Sequence, residues 1–310
     1  MPIFKIQHTT TYQYDHFVQE SVNQVRIFAF LNNEQEVLQH DIHITGFPEV
    51  LTYNDYWGNK TGVFNVLPPH KELVIDSHLV VRTTSLPEPT FNRLAGFNLL
   101  EKEVSGNIKV QELVRPELIE ESLAIDEISE KIYAPQKSVA EVVQNCCELI
   151  YKEFQYIKGI TSVETTLDEI LETKAGVCQD FAHVMLQVLR SLKIPSRYVS
   201  GYICPNKDGL RGEGATHAWV EAWIPTYGWA GIDPTNNVWV TNNHVKLAVG
   251  RNFNDCSPVK GTFKGLANQH LSVFVSVGYE DGHVVEELNN VKLPRREEIE
   301  QMIANFAAQQ

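Results

Sequence analysis

Residues 1–84 carry short runs in which apolar and polar positions alternate or nearly alternate: Phe4-Lys5-Ile6-Gln7, Ser21-Val22-Asn23-Gln24-Val25-Arg26-Ile27 and Leu38-Gln39-His40-Asp41-Ile42-His43-Ile44. A period of two puts successive side chains on opposite faces of a strand. Turn-forming stretches, Asp55-Tyr56-Trp57-Gly58-Asn59 and Pro68-Pro69-His70, interrupt the runs. The run from Leu73 to Val81 is the strongest strand of the set. Strands punctuated by turns at intervals of about 10 residues predict an antiparallel β-sandwich.

Pro87 and Pro89 mark a change of character, and from there to about residue 190 the periodicity is helical. Ser138 followed by Glu141 predicts a capped helix start, with the helix running through Tyr151. Positions 166–171 read as a short helical turn. The segment 178–193 is the clearest helix. Phe181, Met185, Val188 and Leu192 form one stripe, and Ala182, Leu186 and Leu189 lie beside it, a face wide enough to require burial. Ile194-Pro195 ends it. Strands follow over 197–203, 215–224, 229–232 and 271–279, and 294–310 reads as an exposed helix with acidic residues in its early turns. The fold class expected is α+β. An N-terminal sandwich over 1–88 precedes a helical linker region over 89–134, an α+β core over 135–280 and a C-terminal helical tail over 281–310.

Composition narrows the function. With 310 residues, 43% hydrophobic and 21% charged, the chain is long enough for a sizeable core. Its net charge of −13, from 26 basic and 39 acidic residues, argues against nucleic acid or an anionic membrane as a partner. The opening residues show no basic segment followed by an apolar run, and no window approaches the ~18 apolar residues of a membrane span. The expectation is a cytoplasmic protein. The five cysteines (Cys146, Cys147, Cys178, Cys204 and Cys256) show no metal-ligand spacing, and their odd number suits a reducing compartment. Neither H-E-x-x-H nor paired Cys/His spacing accompanies the 11 histidines, so no metal and no cofactor are expected.

Three residues carry candidate chemistry. Cys178 stands at the start of the buried helix, where unpaired backbone N–H groups and the helix dipole favour a thiolate. His217 lies in the strand Thr216-His217-Ala218-Trp219-Val220-Glu221-Ala222-Trp223-Ile224. There His217, Trp219, Glu221 and Trp223 share one face, and the small apolar Ala218, Val220, Ala222 and Ile224 share the other. Asp233 ends the next short strand, its backbone biased to an extended form by Pro234. Each alone has an ordinary structural reading. Together they supply a nucleophile, a base and an orienting carboxylate, the set that thiol catalysis needs in hydrogen-bonded series. Weaker substrate-binding candidates are Trp219, beside His217, Gln179 on the first turn of the helix, and Gln155 or Tyr156 as oxyanion donors.

The stretch from Gly176-Val177-Cys178 to Ile194-Pro195-Ser196-Arg197, then Thr216 to Trp223, then Gly228-Trp229 and Asp233-Pro234-Thr235, resembles the transglutaminase-like superfamily in block order and spacing. The resemblance extends to a bacterial subgroup with an N-terminal β domain, through Asp55-Tyr56-Trp57-Gly58-Asn59, Pro69-His70-Lys71-Glu72-Leu73 and Val249-Gly250-Arg251-Asn252-Phe253-Asn254-Asp255. It implies a papain-like core with a catalytic helix packed on an antiparallel sheet, and Cys178, His217 and Asp233 as the triad. Nothing resembles the calcium-site segments of animal transglutaminases. The activity expected is acyl transfer at an amide through a Cys thioester, with hydrolysis of a peptide or protein substrate preferred. A glycine-rich segment over 204–214, with Gly209, Gly212 and Gly214, reads as a mobile lid. The alternatives are a protein cross-linking transglutaminase and an idle binding module of the same fold.

Overall fold

The computed structural model describes residues 2–84, 89–162, 165–204, 211, 216–279 and 284–291. The N-terminal strands are β1 (Ile3–Val18), β2 (Glu20–Val25), β3 (Gln35–Ile44), β4 (Leu51–Asn54), β5 (Lys60–Val66) and β6 (His70–Thr83). Helices α1 (Phe97–Ser105), α2 (Ile108–Glu112), α3 (Ser122–Ile132) and α4 (Val139–Glu153) follow. Next come β7 (Gln155–Tyr156), α5 (Leu167–Thr173), β8 (Ala175–Gly176) and α6 (Cys178–Ser191). The remainder is β9 (Ser196–Ile203), β10 (Thr216–Ile224), β11 (Gly228–Asp233), β12 (Val238–Trp239), β13 (His244–Gly250), α7 (Phe253–Cys256), β14 (Val259–Lys264), β15 (Gln269–Tyr279) and β16 (Val284–Val291).

Three sheets organise the chain, in the orders β16-β15-β1-β6-β3, β14-β2-β5-β4 and β12-β11-β10-β9-β13. The first is a long platform. At 16 and 14 residues, β1 and β6 span roughly 50 Å at the usual strand rise. Part of its inner face packs on the second sheet, where Tyr14, Leu73 and Ile75 meet Val25, Phe64 and Val66. The other part, through Phe4, Ile6, Leu79 and Val81, packs on Tyr202, Val245 and Leu247 of β9 and β13. Tyr202 and Val245 share one face of the third sheet with Ala218 and Val220, so the platform and the helices pack on the same face, with a cleft between them. On this face, Ala218, Val220, Ala222 and Ile224 of β10 share a core with Phe181, Met185, Val188 and Leu189 of α6. The division of faces read from the β10 sequence is the division observed.

Ser138 caps α4 as expected: its hydroxyl accepts from the Glu141 N–H (3.3 Å), and Glu141 Oε2 accepts from the Ser138 N–H (2.8 Å). Helix α6 stops two residues before 193, because Lys193 takes a left-handed backbone (φ 62°) and the Ile194 N–H reaches back to the Leu189 carbonyl.

The domain boundaries need correction. Strands β14 and β15, placed with the core, pair with β2 and β1, so the chain returns to complete the N-terminal sheets. Within the expected helical tail, 284–291 is a strand extending the platform from β15; the helix expected over 294–310 lies outside the described residues, as does Pro87. The region 89–134 is no linker: Leu100, Ile125, Ile128 and Ile132 belong to the core that α4 and α6 build.

The turn Asp55-Tyr56-Trp57-Gly58-Asn59 joins the two halves of the molecule. Asp55 Oδ1 accepts from the N–H groups of Trp57 and Asn59, while Gly58 takes the left-handed φ of 88° that a side chain would resist. Asn59 is buried and exchanges two 2.8 Å hydrogen bonds with the backbone of Val249, and Trp57 Nε1 donates to Asp255.

Candidate active site

Cys178 is the first residue of α6, half-buried, with its own N–H among those that a helix leaves without an intrahelical partner. Its position is held from both sides. Ala175 and Gly176 pair in parallel with Gln155 and Tyr156. Asp180 folds back over the helix start, accepting from the Val177 N–H (2.8 Å) and the Thr161 hydroxyl (2.6 Å). A Cβ on Gly176 would lie 2.5 Å from Asp180 Oδ2, which explains the glycine.

His217 and Asp233 are buried in the adjacent strands. The antiparallel register Val220↔Ile232, continued one step, sets Asp233 across from Trp219 and on the face of His217. His217 Nε2 lies 2.8 Å from Asp233 Oδ2. The other ring nitrogen, Nδ1, is shielded from solvent and has no hydrogen bond of full geometry among the described residues. After Asp233, the Cys178 thiol is the group acting most strongly on the ring. Burial by itself would lower the His217 pKa, but Asp233 and then Cys178 outweigh it and raise it to about 10. Burial would likewise raise the Asp233 carboxyl, and its two imidazole neighbours, His217 and His244, hold it below the usual carboxylate range instead.

Asp233 is held more tightly than the sequence indicates. Oδ1 accepts from the Thr235 N–H (2.9 Å), and Oδ2 accepts from Asn236 Nδ2 (2.7 Å) and contacts His244 Nε2 (3.3 Å). The Thr241 N–H donates to His244 Nδ1 (3.3 Å), so the His244 proton sits on Nε2 and points to the carboxylate. Nothing local marked His244 in the sequence; it reaches the site because β13 pairs with β9. The donor atoms of His217, Asp233 and His244 lie within 4.8 Å of one another, the spacing a metal ion would need. Asn236, a fourth group, also donates to the same Asp233 oxygen.

A cleft of about 930 Å³ opens at this point. Its lining includes Cys178, Gln179, His217, Tyr198 and Ser200 on one side, and residues of β1, β2, β14 and β15 on the other. Gln179 thus stands where a substrate contact is expected. Gln155 and Tyr156 do not line the cleft; they support the strand behind Gly176, and Tyr156 packs edge-on against Phe181. Trp219 corrects the expectation of a cleft wall. It is wholly buried, stacked near His217 and edge-on to His244 (5.2 Å), in a space that exists because Gly201 has no side chain. Tyr198 escaped the sequence reading. Its buried phenol lines the cleft, and burial first, then the Cys178 thiol, raise its pKa well above the ordinary value.

Two models of known families match the chain, the transglutaminase-like superfamily over residues 126–234 and the bacterial transglutaminase-like N-terminal region over 4–82. An uncharacterized protein of Mycobacterium leprae is 34% identical over 282 residues, which cover 88% of this chain and 97% of that one.

The chain belongs to the transglutaminase-like superfamily.

An uncharacterized Mycobacterium tuberculosis protein is 28% identical over 291 residues, covering 88% of this chain and 92% of its own. A Pseudomonas aeruginosa protein-glutamine gamma-glutamyltransferase is 28% identical over 175 residues, 53% of this chain and 24% of that protein. A crystal structure of a candidate cysteine protease from Cytophaga hutchinsonii superposes over 95% of both chains with a TM-score of 0.73 at 21% identity, and shares the α+β fold. Among the described residues, no helix of this transglutaminase-like chain is long and apolar enough to cross a membrane.

Two expected results follow from this geometry. Cys178 is half-buried, whereas Cys146, Cys147, Cys204 and Cys256 are fully buried and burial raises all four thiols. Iodoacetamide near neutral pH should therefore label Cys178 alone in the native protein, as read by peptide mass mapping; labelling spread over several cysteines would contradict the site. The second concerns pH. A histidine raised from 6.5 to about 10 on folding contributes stability that is complete below 6.5 and lost as pH rises through about 10. Urea titrations should show unfolding free energy falling over that window, and His217→Gln should flatten this component; an unchanged slope would exclude the raised imidazole.

Proposed function

We propose that this protein is a thiol-dependent acyl-transfer enzyme that hydrolyses an amide bond of a peptide or protein substrate, with Cys178, His217 and Asp233 as its catalytic residues. The observation that carries the reading is the buried His217–Asp233 pair at 2.8 Å, with His217 and the half-buried Cys178 lining one peptide-sized cleft. His217 Nδ1 takes the thiol proton, and the sulfur attacks the amide carbonyl carbon. The Cys178 N–H stabilises the oxyanion, and the Tyr198 hydroxyl is the candidate second donor. His217 returns the proton to the departing amine as the C–N bond breaks, leaving a thioester. It then draws a proton from water, whose oxygen displaces the sulfur to give a carboxylic acid and free thiol. Asp233 holds the ring and stabilises its cationic form.

Water is the preferred acceptor because selective aminolysis requires a groove that positions an amine and excludes water. The lid expected over 204–214 lies mostly outside the described residues. Cross-linking remains the second reading, favoured by the similarity to the Pseudomonas protein-glutamine gamma-glutamyltransferase. A cytoplasmic site of action is supported by the five free cysteines. The test is a glutamine-containing peptide supplied with a millimolar lysine analogue. Deamidation or cleavage exceeding amine incorporation is the expected outcome. Predominant incorporation would establish the transglutaminase instead, and no turnover of any amide would leave a binding module.

A further inference from the structure

Strand β14 is the edge of its sheet, paired with β2 along one side. Its other side borders the catalytic cleft, whose lining includes Val259, Lys260, Gly261 and Thr262. The alternation of backbone groups along it is fixed at both ends: the Arg26 N–H donates to the Pro258 carbonyl (2.7 Å) and the Gln19 N–H to the Lys264 carbonyl (2.8 Å). Positions 258, 260, 262 and 264 therefore face β2. Those of Val259, Gly261 and Phe263 face away from it. Among the described residues, none of these three N–H groups has a partner, nor do the carbonyls of Gly261 and Phe263; the Val259 carbonyl accepts from the Ser257 hydroxyl (3.1 Å).

Open strand edges are normally blocked, because any extended chain can pair with them. Among the described residues this one is unpaired, and it lines the same cleft as Cys178. The floor of the cleft is the platform, through Thr10 and Tyr12 of β1 and Leu271 and Val273 of β15. Cys178 and His217 lie on the catalytic side. An extended segment laid on this floor would meet a ladder of backbone donors and acceptors on one side and a thiol on the other.

We propose that the free edge of β14 docks the substrate as an added β-strand, so that an extended polypeptide segment with apolar side chains extends the β14-β2-β5-β4 sheet and is presented to Cys178. This rests on the acyl-transfer reading for the fate of the bound chain, and on the edge itself for its binding. Main-chain pairing supplies affinity in this mode, so binding should tolerate many sequences.

The test uses the full chain with Cys178→Ala and the fluorescein-labelled peptide Lys-Ser-Val-Leu-Gln-Val-Thr-Phe-Ser-Lys, methylated in turn at each central backbone nitrogen. Binding is followed by fluorescence anisotropy. Methylation at alternate nitrogens should weaken binding by roughly tenfold, and methylation between them by less than about twofold, since only every second N–H meets the edge. Loss without alternation, indifference to methylation, or no binding at about millimolar peptide would overturn the docking edge. The two readings separate cleanly. Alternation in the Cys178→Ala chain with no turnover by the wild type would leave the edge standing and remove the acyl-transfer reading. Turnover without alternation would do the reverse.

Discussion

Asp233→Asn should lower amide turnover by about 10²- to 10³-fold while leaving the fold recognisable. Both carboxylate oxygens accept from fixed donors, Oδ1 from the Thr235 N–H and Oδ2 from His217, His244 and Asn236. An asparagine must turn its NH₂ group towards one of them. Facing Oδ2 it would oppose three donors, so it should settle at the Oδ1 position and oppose only Thr235. The oxygen then still accepts from His217, and the ring keeps its tautomer. What is lost is the negative charge. The imidazolium formed as Cys178 loses its proton would no longer be stabilised, and the His217 pKa should fall from about 10. The signature is a kcat loss with KM little changed, and an alkaline limb of the pH–rate profile moved to lower pH. The displaced Thr235 N–H should cost about 1–3 kcal/mol of stability. A variant retaining more than a tenth of the activity would remove Asp233 from the catalytic series.

Glu221→Ala is expected to be the most destabilising single change on the β10 strand, costing about 3–5 kcal/mol. Glu221 is buried on the His217 face, where Arg197 approaches it at 2.6 Å and Lys246 donates to its second oxygen. Burial would raise its carboxyl, but Arg197 and then Lys246 overcome this and bring it down to about 2. Removing the carboxylate leaves Lys246 largely buried, answered among the described residues by Glu34 at 3.5 Å and, more weakly, by the Phe30 ring at 5.7 Å. Arg197 suffers less, since its guanidinium also lies over the Trp229 ring at 4.3 Å. Adding Lys246→Met to Glu221→Ala should therefore recover part of the loss. Chemical denaturation of the single and double variants reads both effects. Strictly additive losses would show that the two charges do not stabilise one another.

These two sites also show what a sequence can and cannot convey. The split of β10 into an apolar face and a mixed face was legible, because strand periodicity is local, and the apolar face is the one on α6. The order of Cys178, His217 and Asp233 was legible for the same reason, each being placed by its own element. What covers the mixed face was not. Phe30, Trp57 and Val240, drawn from distant segments of the chain, pack over Val199, Trp219 and Val249 on that face. That cover makes a tryptophan read as a cleft wall a core residue, and Lys246 reaches Glu221 from β13. His244 was invisible for a related reason: its link to Asp233 depends on β13 lying beside β9, and no spacing along the chain expresses that.

The central claim is that Cys178 forms a covalent acyl intermediate with the help of His217. The most direct measurement is intact-protein mass spectrometry of the enzyme quenched in acid during turnover of an activated acyl donor such as a p-nitrophenyl ester of a protected glutamine peptide. The account requires a mass increase equal to the acyl group, located at Cys178 by peptide mapping, reversed by hydroxylamine, and absent in Cys178→Ala. With His217→Gln its formation should slow by at least about 10²-fold. An adduct on another residue, or turnover of the donor by Cys178→Ala at the wild-type rate, would contradict it.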